Sequence, residues 1–126
     1  MSKFLFVYGT LMTGFGANPM LQAGAELLGT ATVDGKMYDI NGGFPGIILG
    51  GEDKVQGELY EVTDDAILPR LDSYEGHRGN VPSSLYSKHV VQTSYGSIEA
   101  IVYQFNHSVD SHAVVPNGDW RSHVRG

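Results

Sequence analysis

Cysteine is absent from the 126 residues, which excludes a disulfide framework, a thiolate nucleophile and any Cys-based metal site. Positive charge is scarce: eight Lys and Arg face fourteen Asp and Glu, for a net charge of -6. The eight cations are scattered, and without a basic stripe nucleic acid and anionic membrane are poor partners. Long apolar runs are missing as well. The N-terminal "FLFV" follows a single Lys and is too short for a signal peptide or a spanning helix, so a cytoplasmic protein is the default expectation. The histidines His77, His89, His107, His112 and His123 lack zinc-site spacing, since no i, i+4 pair falls on a predicted helix; loop or surface positions account for them. Ser73 and Ser84 have no G-x-S-x-G context, so a hydrolase elbow is unsupported. Gly14-Phe15-Gly16 lacks the third glycine, the following helix and the ribose-binding acid of a dinucleotide fingerprint.

What the chain does have is enough apolar matter for a core. Hydrophobic residues make up 41% and charged residues 17%, which is the balance of a folded protein. The length fits one domain spanning residues 1–126. A chain this small hides a modest share of its surface, and a compact sheet-based core suits it better than layers of long helices.

Lys3 to Tyr8 is β-rich and almost continuously apolar, the pattern of a strand buried on both faces. Gly9 to Gly16 reads as a glycine-bearing loop. Asn18-Pro19 marks a helix start, with "MLQAGAELLG" carrying two turns toward Gly29 although Gly24 weakens them. Thr30 to Ile40 and "FPGIIL" are strands about the turn Asn41-Gly42-Gly43. Gly50 to Lys54 is a polar turn, and "VQGELYEV" alternates, with Val55 and Leu59 on one face and Gln56, Glu58 and Tyr60 on the other. Thr63-Asp64-Asp65 opens a helix that Pro69 should split, its second piece "PRLDSYEG" stopping at Gly76. Ser84 to Thr93 and Ile98 to Phe105 form a hairpin around "SYGS", and the tail from Asn106 reads as loop. About six strands and two short helices, with separations too short for βαβ crossovers, predict a closed or half-closed, mostly antiparallel sheet in an α+β fold.

Two places could carry chemistry. In "YGTL", Tyr8 to Leu11, a glycine directly after a buried strand lets successive backbone N–H groups hold an anion or carboxylate; a plain strand-end turn is the alternative. Glu75 lies four residues after Leu71, on the same helix face. If Leu71 packs inward, Glu75 is drawn toward the core's mouth and its carboxyl is partly desolvated, with a pKa raised toward that of a working base. A solvated helix-end acid is the alternative.

Taken in order, "VYGTLMTG", "GKMYDINGGFPGI", "VQGELYEV", "LDSYEG", "LYSKHVV", "EAIVYQF" and "NGDW" resemble the gamma-glutamylcyclotransferase-like superfamily over nearly the whole chain. The length is similar to that of the compact bacterial and gamma-glutamylamine-type members. The resemblance implies a small β-barrel-like fold with short flanking helices and a cavity at one end. It implies that Tyr8, Gly9, Thr10 and Leu11 form the substrate loop, whose amides reach the glutamyl α-carboxylate, and that Glu75 is the catalytic acid/base. Tyr86 matches an aromatic that lines the pocket, and Trp120 a tail tryptophan that packs. The implied reaction converts a gamma-glutamyl amine or amide to 5-oxoproline and a free amine, with a small-molecule substrate and no cofactor or metal. A non-catalytic binding module of the same fold and a related gamma-glutamyl amide cleavage in a biosynthetic pathway are the alternatives. Two departures stand out. Lys88 stands where relatives commonly have Arg, which loses bidentate geometry, and "GHRGNVPSS" is a polar, glycine-bearing loop of its own.

Overall fold

The structure is a computed structural model and describes residues 3–76 and 84–125; most of the "GHRGNVPSS" loop lies outside the described residues. Among the described residues, six strands and three short helices follow one another as β1 (Lys3–Val7), α1 (Asn18–Gln22), β2 (Ala25–Ile40), β3 (Phe44–Val62), α2 (Ile67–Tyr74), β4 (Tyr86–Gln92), β5 (Glu99–Phe105), β6 (Ala113–Val114) and α3 (Trp120–Arg125), with a 3-10 turn at Pro116–Gly118 before α3. The fold is α+β, as the sequence indicates: a mixed, mostly antiparallel sheet curled into a half-barrel, with strand order β4-β5-β1-β3-β2-β6. β1 runs parallel to β5 and antiparallel to β3.

The apolar run of β1 explains its place. Leu5, Phe6 and Val7 are buried in succession, which requires cover on both faces of the strand. Leu59 of β3, Val102 of β5, Leu21 of α1 and Leu71 of α2 are likewise sealed in the core around it. No helix among the described residues is long and apolar enough to cross a membrane.

Several local expectations are corrected. The first helix stops at Gln22, and Ala25 onward pairs with β3 from the rung Ala25↔Val62. Gly24 makes the turn between them. Its carbonyl accepts the amides of Thr63 and Asp64, and a Cβ there would sit 2.5 Å from Ile67 Cγ2. The two short strands predicted around the Gly50–Lys54 turn are one strand, β3. The adjacent rungs Gly35↔Leu49 and Asp34↔Lys54 leave residues 50–53 looped out, with Gly50 and Gly51 at φ +98 and +83, a conformation that glycine adopts without strain.

Pro69 does not split α2. It is the third residue of the helix, where an N–H would have no intrahelical acceptor, so its missing donor costs nothing. Glu58 and Tyr60, expected on the polar face of β3, are both buried because the loop after β1 covers that face. The tail is not all loop. The Asp119 carboxylate accepts the Ser122 amide and hydroxyl at 3.3 and 2.9 Å, an N-terminal capping arrangement for α3.

Candidate active site

A cavity of about 280 Å³ opens where β1 gives way to the "YGTL" loop. Tyr8, Gly9, Thr10, Leu11, Glu75 and Tyr86, the residues singled out from the sequence, all line it. Phe44 and Pro45 at the start of β3, Tyr74 at the end of α2 and Tyr103 of β5 complete much of the wall.

The loop is built by successive tight turns. Met12 donates to the Gly9 carbonyl at 3.0 Å, Phe15 to Met12 at 3.2 Å and Asn18 to Phe15 at 3.1 Å. Gly9 is required by close approach: a Cβ at this position would meet Pro45 Cγ at 2.7 Å. Among the described residues, no backbone or side-chain acceptor takes the amides of Gly9, Thr10 or Leu11.

A buried polar network pins the loop from behind. The Glu58 carboxylate accepts the Thr13 amide at 2.8 Å and the Thr13 hydroxyl at 2.5 Å. Arg121 of α3 stands 3.6 Å from the same carboxylate and donates to the Thr13 carbonyl at 2.5 Å. Asn18 donates to the Leu11 carbonyl at 2.8 Å and to the Tyr60 hydroxyl at 2.9 Å. Burial, moderated by the Asn18 hydrogen bond and aided by the Glu58 charge, pushes the Tyr60 phenol up to about 12. Arg121 also lies over the Phe15 ring, 5.5 Å from its centroid. Trp120 is buried beside it and packs on His123. The "GELY" and "NGDWR" stretches therefore meet on the back of the loop after β1, a convergence invisible along the chain.

Glu75 caps the C-terminus of α2, its amide donating to the Leu71 carbonyl at 2.9 Å. Leu71 is fully buried and draws Glu75 inward one turn later. Burial pushes the Glu75 carboxyl up to about 7. Three phenols, those of Tyr8, Tyr86 and Tyr103, line the same cavity, and the Glu75 charge adds to the burial that holds each of them protonated. Desolvation is the larger cause for all three. The Tyr8 hydroxyl donates to the Tyr103 carbonyl at 2.6 Å, and the Tyr86 hydroxyl to the Pro45 carbonyl at 2.7 Å. Tyr86 also packs edge-on against Phe105, ring centroids 5.7 Å apart. These phenols are fixed wall elements.

Sequence reasoning missed Asp72, Tyr74, Tyr103 and Glu58. Asp72 lies on the side of α2 toward β4 and β5, where it accepts from Lys88 and Tyr103. Lys88, the departure from the usual Arg, stands outside the cavity lining. Its change of side chain bears on the hold upon α2 and not on the wall of the site.

A family model described as gamma-glutamyl cyclotransferase, AIG2-like, matches residues 5–122. The gamma-glutamylcyclotransferase family protein YtfP of Escherichia coli (strain K12) is 34% identical over 116 residues, covering 92% of this chain and 94% of that protein. The gamma-L-glutamyl-butirosin B gamma-glutamyl cyclotransferase of Niallia circulans is 27% identical over 120 residues, covering 94% of this chain and 76% of that protein. The solution NMR structure of protein ytfP from Escherichia coli aligns with a TM-score of 0.68 at 31% identity, covering 93% of this chain and 95% of that one. With a curled half-barrel, a glycine-bearing loop at its mouth and a match across nearly its whole length, the chain belongs to the gamma-glutamyl cyclotransferase, AIG2-like family.

Proposed function

We propose that this protein cyclises a small gamma-glutamyl amine or amide to 5-oxoproline and releases the amine, with Glu75 as general acid/base. One observation carries the reading: a carboxyl pushed up to about 7 by burial shares a cavity with the Tyr8–Leu11 loop. A group with that pKa is divided between its two forms near neutrality, which suits it to taking and returning protons.

The substrate holds both reactants, an α-amine and a γ-carbonyl. Folding it into an attack conformer exploits intramolecularity, for which effective molarities of about 10⁵–10⁸ M are known. The amides of Gly9, Thr10 and Leu11 hold the α-carboxylate and set that conformer through charge-assisted hydrogen bonds. Ionised Glu75 takes a proton from the α-ammonium, and the freed amine attacks the γ-carbonyl to close a five-membered ring. As the tetrahedral intermediate collapses, the C–N bond to the leaving amine breaks and Glu75 delivers a proton to that nitrogen. Over the whole reaction the α-ammonium loses two protons in becoming a lactam N–H, and the leaving amide nitrogen gains two in departing as an ammonium. The charges balance without oxidant or reductant.

The test is Glu75→Gln, which keeps the side chain's size and removes its basicity. Turnover of gamma-glutamyl amines, amino acids and peptides is followed by mass detection of the lactam. Loss of kcat by about 10²-fold or more, with substrate still bound, supports the role; full turnover removes it. A binding module of the same fold yields no product from any substrate offered. The name of the Niallia circulans relative, a gamma-glutamyl cyclotransferase of gamma-L-glutamyl-butirosin B, bears on one second reading, removal of a gamma-glutamyl group from a compound of that kind. Here too the product separates chemistries, 5-oxoproline marking cyclisation and free glutamate marking hydrolysis.

A further inference from the structure

α2 is a helix of eight residues; Ile67 and Leu71, one turn apart on one face, are its fully buried apolar residues, and Leu68 packs beside them, half-buried. Such contacts fix how deeply a helix sits but hold its rotation weakly, because dispersion between aliphatic groups is non-directional. Glu75 lies one further turn along that face, so a small rotation of α2 swings its carboxyl across the cavity. Directional bonds must supply what apolar packing does not.

Tyr74, the last residue of α2, supplies one at the cavity rim, with the Thr10 hydroxyl; on the sheet side they come from Asp72, about 100° round the helix from Leu71. Its carboxylate accepts the Tyr103 hydroxyl at 2.6 Å and the Lys88 ammonium at 3.0 and 3.1 Å. Lys88 and Tyr103 are direct partners in the β4–β5 ladder, so two neighbouring strands present adjacent donors to one carboxylate. The pair is half-buried, which weakens screening by solvent relative to a surface ion pair. Tyr103 carries the connection on: its carbonyl accepts the Tyr8 hydroxyl, tying the same point of β5 to the start of the substrate loop. Asp72 and Lys88 do not line the cavity.

We infer that Asp72 is a positioning residue, which, through the ladder pair Lys88 and Tyr103, fixes the rotation of α2 and so the aim of Glu75 at the substrate held by the Tyr8–Leu11 loop. The inference rests on the acid/base reading of Glu75. A displacement of about 1 Å at a reacting group can cost up to 10²-fold in rate, so losing the clamp lowers kcat while the loop's own hold on substrate persists.

Asp72→Ala, Tyr103→Phe, Lys88→Met and Lys88→Arg are compared with the parent protein in steady-state turnover of one gamma-glutamyl amine. Circular dichroism melts confirm that each variant is folded at the assay temperature. The expected result is a kcat at least about tenfold lower in Asp72→Ala and Tyr103→Phe, with KM changed less than threefold. The double variant Asp72→Ala with Tyr103→Phe is no worse than Asp72→Ala alone, since both substitutions break one arrangement. Lys88→Met loses kcat in the same way, while Lys88→Arg, which can still grip the carboxylate, recovers most of it. Should Asp72→Ala not fold, Tyr103→Phe and Lys88→Met decide the matter. A kcat within twofold of the parent in Tyr103→Phe and Lys88→Met overturns the positioning role and leaves Glu75 untouched. Full turnover by Glu75→Gln overturns the acid/base reading, whatever the clamp variants do.

Discussion

The Thr10 hydroxyl and the Tyr74 phenol oxygen stand 2.5 Å apart, joining the loop after β1 to the last residue of α2. Tyr74 is 44% exposed, which places this bond at the cavity's rim, between the two elements that would hold opposite ends of a substrate. A hydrogen bond in such a setting is worth about 1 kcal/mol, or roughly fivefold in an equilibrium constant. Tyr74→Phe and Thr10→Val are each expected to raise KM by about that factor and to leave kcat nearly unchanged. The double variant should match either single one. Additive losses would mean that the two hydroxyls act separately.

Glu58 is 5% exposed and serves both donors of Thr13. Glu58→Gln keeps the shape but replaces one acceptor oxygen with an N–H₂ donor facing another donor. Hydrogen bonds to a charged group contribute about 1.5–3 kcal/mol each, and Arg121 loses its carboxylate as well. A fall in unfolding free energy of about 2–4 kcal/mol is expected, read from urea titration with an unchanged m-value. The folded fraction should show a raised KM, since the loop loses its rear anchor. A variant as stable as the parent would show that the network carries no net weight.

The Glu75 carboxyl, raised by burial to about 7 from an ordinary 4.5, has two consequences of opposite sense. As a base it must be ionised, so kcat/KM should climb with pH through about 7 and level off above it. Stability moves the other way. Between 4.5 and about 7 the folded state keeps a proton that the unfolded state has released, so stability falls as pH rises through that window. The penalty at pH 8 is at most roughly 3 kcal/mol. Glu75→Gln, neutral at every pH, should therefore be more stable than the parent at pH 8 and nearly equal to it at pH 4. Denaturant titrations at the two pH values check this, and equal stability of both proteins at pH 8 would contradict the burial of an ionised carboxyl.

Gly9→Ala sets a Cβ 2.7 Å from Pro45 Cγ, and a proline ring anchored in β3 cannot swing aside as a flexible side chain would. Overpacking of this kind costs about 1–3 kcal/mol. Because the collision is between two walls of the cavity, KM should also rise. Gly118→Ala is the contrast: its Cβ would drive into the Lys54 carbonyl, away from the cavity lining, so that loss should appear chiefly in thermal stability. Equal effects of the two variants on KM would remove the distinction between wall and scaffold.

The features legible in the sequence are those set by neighbours along the chain. Alternation and apolar runs give the strands, and the spacing from Leu71 to Glu75 places the carboxyl at the core's mouth. What was not legible depends on distant partners. Glu58 and Tyr60 read as a polar strand face until the loop from Thr13 to Asn18 lies over them. Asp72 reads as one more surface acid until the β4–β5 register sets Lys88 beside Tyr103. Gly50 to Lys54 reads as a turn because its residues are turn formers, and only the continuous pairing of β2 with β3 makes it an outward loop within one long strand. α3 is a different case. Asp119, three residues before Ser122, was an available capping signal, masked by the Pro, Asn and Gly that precede it.

The parallel pairing of β1 with β5 has a consequence for biosynthesis. Leu5 is joined to Ile101 in that pair, so about 96 residues must leave the ribosome between the two partners, roughly 5–20 s at ordinary elongation rates. The nascent chain can zip β1 onto β3 during that time, but one edge of the "FLFV" segment stays open, an apolar ribbon offered to holdase chaperones. Slowing translation downstream of β3 should therefore lengthen its exposure to aggregation, while a circular permutant that emits β5 first would shorten it.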